Sequence, residues 1–171
     1  SRREIHMNSP ARRVALSSIA VLAVALMAPP AMAISDGIVI SQIYGGGGNA
    51  GATYTNDFIE LFNRGTVAVD IGGWSVQYAS STGTSWTNKT NIPAGTTIQP
   101  GKYFLIVEAS GGAVGSPLPA ADLTGGINMS GTGGKLALVN TTTTIGAIAC
   151  PGAADGVVDF IGFGTTANCY E

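Results

Sequence analysis

The stretch Asp57–Asn63, reading D-F-I-E-L-F-N, constrains this chain more than any other. As an extended strand it puts Ile59 and Leu61 on one face and Phe58, Glu60 and Phe62 on the other. Large apolar groups on both faces need cover on both, so the strand belongs inside a sheet and not at its edge. Asn63-Arg64-Gly65-Thr66 reads as a turn, built from residues that tolerate left-handed backbone angles. Val67, Val69 and Ile71 then alternate toward one side, and Gly72-Gly73-Trp74 leads into a strand at Ser75–Tyr78.

Other runs have the same period. Ile38–Tyr44 reads as a first strand, with Ile38, Ile40 and Gln42 on one face. Lys102–Glu108 is the next most apolar strand, and Lys135–Asn140 and Val157–Gly164 are clear ones. Shorter candidates lie around Trp86 (Thr84–Asn88), at Thr96–Gln99 and at Ile145–Cys150. Nine or ten short strands separated by Gly, Pro, Ser and Thr predict an all-β sandwich. The run Gly45–Gly48 is followed neither by Lys-Ser/Thr nor by a helix, so it reads as a flexible loop and not a phosphate cradle. Gly111–Gly126 is a long Gly/Pro/Ala-rich loop of the kind that is mobile or functional.

Ahead of the strands lies an export signal. Residues 1–6 precede the first Met, and Met7 reads as the true start. Arg12-Arg13 form a basic region and Val14–Met27 an apolar one too short for a comfortable membrane span. Pro29-Pro30 and Ala31-Met32-Ala33 then place cleavage between Ala33 and Ile34. Residues 1–33 are therefore expected to be upstream residues followed by a helical signal peptide, and 34–171 a secreted domain with no membrane attachment after cleavage. From residue 34 onward there are four basic and nine acidic residues, a net charge of −5. An acidic domain lacks the footprint for phosphate backbones, which disfavours direct nucleic-acid binding.

The residues also limit the chemistry. Cys150 and Cys169 are the only cysteines, and in an exported chain they are expected to form one disulfide. His6 is the only histidine and falls in the leader, so neither a catalytic thiol nor a serine triad has a base. Asp57 and Glu60 point to opposite faces and cannot work as a paired acid and base. Glu60 is expected to accept hydrogen bonds from nearby backbone or hydroxyl groups. No cofactor is expected; Asp70, Asp155 and Asp159 near loops leave a structural Ca2+ as the alternative. Trp74 reads as core. Trp86, among Thr and Ser, is the candidate ligand contact as a sugar-stacking platform, with burial beside a neighbouring strand as the competing expectation.

Three segments carry a family resemblance: I-V-I-S-Q-I-Y-G-G-G-G-N, N-D-F-I-E-L-F-N-R-G-T-V-A-V-D-I-G-G-W-S-V-Q-Y and I-P-A-G-T-T-I-Q-P-G-K-Y-F-L-I-V. Together they resemble a lamin tail domain of the bacterial, secreted kind, with Asp57, Glu60, Asn63, Asp70, Gly73 and Trp74 matching its central pattern. The segment Cys150–Cys169 also looks like the end of such domains. The resemblance implies an immunoglobulin-like β-sandwich and a non-catalytic binding or attachment module, with no catalytic residues to carry over. Such modules often precede extracellular endonuclease/exonuclease/phosphatase-type domains. The chain is therefore also read as the N-terminal fragment of a nuclease or phosphoesterase whose catalytic part lies beyond Glu171. A carbohydrate-binding module is the further alternative. The partner is left open between a protein and a polysaccharide.

Overall fold

The computed structural model describes residues 37–170. The expected leader and the cleavage point at Ala33 and Ile34 lie outside them. Ten strands follow one another: β1 (Ile38–Tyr44), β2 (Phe58–Asn63), β3 (Val69–Asp70), β4 (Ser75–Ser80), β5 (Asn88–Asn91), β6 (Thr97–Ile98), β7 (Tyr103–Val107), β8 (Leu123–Thr124), β9 (Gly134–Val139) and β10 (Val157–Phe163). They form an all-β sandwich, as expected for an immunoglobulin-like module. One sheet has the order β1-β2-β7-β8, the other β10-β9-β4-β5, and the short ribbon β3-β6 is separate from both. All pairings are antiparallel except β7 with β8.

β2 is flanked on both sides, as its two apolar faces require. Ile59 and Leu61 are fully buried and pack with Ile38, Ile40 and Ile106 of their own sheet and with Val76, Leu136 and Leu138 of the other. Ile98 of the ribbon and Ile71, just after β3, join this core, and Trp74 packs against it while partly exposed. Val67 departs from the expected alternation and is exposed, because the regular ribbon begins only at Val69.

The facing of β1 also departs from expectation. A bulge between Ile40 and Gln42 leaves Ser41 without a partner, so Ile40 pairs with Leu61 but Gln42 pairs with Glu60. The inserted residue reverses the phase of everything after it. Gln42 and Tyr44 therefore share the outer face with Glu60 and Phe58, and Ile43 turns inward to the core.

Two expected strands are absent. Residues 84–87 are irregular and β5 begins at Asn88; Ile145–Cys150 forms no strand. These segments instead cover the outer face of the second sheet. Trp86, Ile145 and Cys169 pack there on Ala79, Ala137, Val139 and Phe160. The Cys150–Cys169 disulfide, Cα–Cα 5.6 Å, joins the covering segment to the C-terminal tail. Under this cover lies Lys135, buried with no carboxylate partner among the described residues. Its ammonium donates to Gly83 O at 2.7 Å, Ala149 O at 2.8 Å and Asn168 Oδ1 at 2.9 Å, and burial lowers its pKa. All three N–H donors are used, one on each of three segments. Lys135→Met keeps most of the stem but leaves three acceptors without a donor. It is expected to cost about 2 kcal/mol. Urea denaturation of the two proteins checks this; equal midpoints would show the ammonium to be dispensable.

Candidate functional site

The family-pattern residues divide into supports and one surface group. Asn63 is fully buried, donating from Nδ2 to Val67 O at 2.9 Å and Ile98 O at 2.8 Å while Oδ1 accepts from Gly65 N–H. It therefore fastens the turn after β2 to β6. Asp70 accepts from Gly72 N–H at 2.8 Å, closing an Asx turn. Gly73 has φ +80°, a conformation that a side chain resists, and Trp74 follows it into the core.

Asp57 is buried at the other end of β2. Its carboxylate accepts from Gly47 N–H at 2.7 Å and Met129 N–H at 2.6 Å. Burial pushes its pKa above the usual value, and the N–H groups of Gly47, Met129 and Gly46 pull it back. The glycine run is therefore a fastened corner and not a free loop. Gly46 N–H also reaches Met129 O, and Gly48 N–H reaches Tyr54 O. A Cβ on Gly47 would lie 2.1 Å from the Asn56 carbonyl carbon, which excludes any side chain there.

Glu60 alone of the pattern residues faces outward into a cleft. It is half-buried, and its Oε1 accepts from Ser41 Oγ at 2.7 Å, the hydroxyl partner expected for it. The cleft holds about 170 Å³. Gln42, Phe58, Glu60 and Leu105 form its floor on β1, β2 and β7, and Tyr54, Leu118 and Pro119 form its walls. Loop contacts set those walls. Tyr44 Oη accepts from Thr53 N–H at 2.8 Å, and its ring meets Tyr54 edge-on, with centroids 5.3 Å apart. Tyr54 also stands edge-on to Phe58 at 5.8 Å. Thr55 N–H donates to Ser116 O at 3.0 Å and Ser116 N–H to Thr53 O at 2.9 Å, which draws the long loop over the sheet. One row along, Phe62 and Tyr103 pack at 4.6 Å, with Tyr103 exposed.

Trp86 is a correction. It is fully buried and cannot serve as a surface platform; its Nε1–H donates to Ile148 O at 2.9 Å beneath the disulfide-linked cover. The Thr and Ser residues around it gave no sign of this, because the cover comes from residues about sixty positions later. The phase of Phe58 on β2 was a usable signal for the cleft, whereas Tyr54, Leu118 and Pro119 lie in loops without periodicity. Asp70, Asp155 and Asp159 serve different segments. Asp155 accepts from Gly152 N–H, and Asp159 accepts from Ile40 N–H at 2.6 Å, tying β10 to β1. Among the described residues no three His, Cys, Asp or Glu side chains come together around one point. Among them, too, no helix is long and apolar enough to cross a membrane.

Comparison with protein-family models matches residues 32–163 to the Lamin Tail Domain. No curated protein matches the chain.

Proposed function

The chain belongs to the lamin tail domain family, and from that premise we propose an exported, non-catalytic attachment module that binds through the outer face of its first sheet. The aromatic cleft over β1, β2 and β7 carries this reading. It combines a concave, mainly apolar lining with two polar groups, the usual make-up of a recognition site. The family's central strand thereby has two jobs: Ile59 and Leu61 hold the core, and Glu60, beside the buried Phe58, faces the cleft. An expected leader and a disulfide both support an extracellular location.

Binding of the purified protein to a panel of peptides and oligosaccharides tests the proposal. Saturable binding is expected for one class, weakened about tenfold or more by Tyr54→Ala, because a central aromatic is commonly a hot spot. The same preparation is expected to release no product from DNA in the presence of Mg2+ or Mn2+. Metal-dependent hydrolysis above a blank, or no saturable binding to either class, would overturn the reading.

A further inference from the structure

Resting on that reading of the cleft, we infer that its ligand is a single Arg or Lys side chain, offered by an extended segment of a partner protein. The cleft is small. At about 170 Å³ it is well below the range of roughly 300–1,000 Å³ typical of small-molecule sites, and suits one long side chain. Its charge has one sign. Among the described residues Glu60 is the only ionisable lining group apart from the Tyr54 phenol, and no Lys, Arg or His of them lines it. One carboxylate oxygen of Glu60 is engaged by Ser41, and the other makes no hydrogen bond among the described residues. Asp122 adds a second negative charge nearby, held by the N–H of Leu105 in the floor.

The apolar surface suits the same guest. Leu105, Leu118 and Pro119 can cover the methylene stem of a long basic side chain. Tyr54, standing edge-on to the buried Phe58, supplies the aromatic surface to which a cation is attracted. Gln42, paired with Glu60 across β1 and β2, offers an amide carbonyl to a further N–H. A guanidinium uses such acceptors better than an ammonium because its donors lie in a fixed fork. The net charge of −5 from residue 34 onward favours the approach of a basic segment.

NMR titration with acetyl-arginine methylamide, its neutral isostere acetyl-citrulline methylamide, and cellobiose tests this. The arginine compound is expected to shift the amides of Gln42, Phe58, Glu60 and Leu105 in a saturable way, with citrulline at least about tenfold weaker. Glu60→Gln, which keeps an acceptor for Ser41, is expected to bring arginine down to the citrulline level while the rest of the spectrum holds. Equal binding of arginine and citrulline would overturn the inference. Shifts at these amides with cellobiose alone would also overturn it while leaving the attachment module standing. If none of the three compounds moves the cleft while larger peptides or sugars bind elsewhere, this inference and the location of the binding face both fall.

Discussion

Replacing Trp86 with alanine is expected to cost about 3–5 kcal/mol of folding stability, the usual range for emptying a fully buried indole site. Binding at the cleft is expected to be unchanged. The indole ring lies on the outer side of the second sheet, edge-on to Phe160 at 6.1 Å and with Lys135 Nζ 5.7 Å from its centroid. Losing it would also leave Ile148 O without its donor and empty the space under the disulfide-linked cover. The cleft opens on the first sheet, and Trp86 does not line it. Urea midpoints give the stability change, and a titration of the folded variant gives the binding. A loss under about 1 kcal/mol would mean that the indole is not packed as the structure places it, and a folded variant that no longer binds would mean that the cleft is not independent of this site. Reduction of the disulfide in the unmodified protein is an independent check. It should release the cover and shift Trp86 fluorescence toward that of a hydrated indole.

The contrast between β2 and its surroundings shows what a sequence makes legible. The central place of β2 follows from its own residues, because large apolar groups lie on both of its faces between Phe58 and Phe62. The facing of β1 does not, because the bulge at Ser41 exists only relative to β2. The disulfide followed from the cysteine count, but the cover it fastens did not: Ile145–Cys150 has strand-like composition and no strand partner. Lys135 read as the ordinary flank of a strand. Its burial depends on carbonyls at Gly83 and Ala149, which no local pattern joins to it. Glu60 was recognised as a hydrogen-bonding carboxylate, yet the cleft around it depends on loop residues brought in by Tyr44 and Ser116. Local alternation thus determined the strands, and tertiary closure determined the site.

Glu108 ended an apolar strand in the sequence and carried no expected role, yet it should dominate the pH dependence of stability. Its carboxylate is buried at the end of β7, where Oε2 accepts from Ile127 N–H at 2.8 Å and from Thr90 Oγ1 of β5, in the other sheet, at 2.9 Å. Oε1 is buried with no partner among the described residues. Burial pushes the pKa from 4.5 up to about 7; the Ile127 and Thr90 donors hold it back, and the negative charge of Asp57 adds to the rise. The folded state therefore holds this proton through a window in which the unfolded state has released it. Stability from this group is fully present below about pH 4.5 and is lost as pH rises toward 7. Converted at about 1.4 kcal/mol per pH unit, the loss is roughly 3 kcal/mol. Asp57, also raised by burial, acts in the same direction, so the test must isolate Glu108. Glu108→Gln keeps an acceptor for Thr90 and Ile127 and places a neutral amide where the protonated acid stood. The variant is expected to match the unmodified protein at pH 4.5 and to exceed it by a few kcal/mol at pH 8. Parallel stability curves for the two proteins between those pH values would mean that Glu108 is ionised in the fold throughout. In that case water or backbone donors would have to reach Oε1, and the junction between β7 and β5 would be wetter than its packing implies.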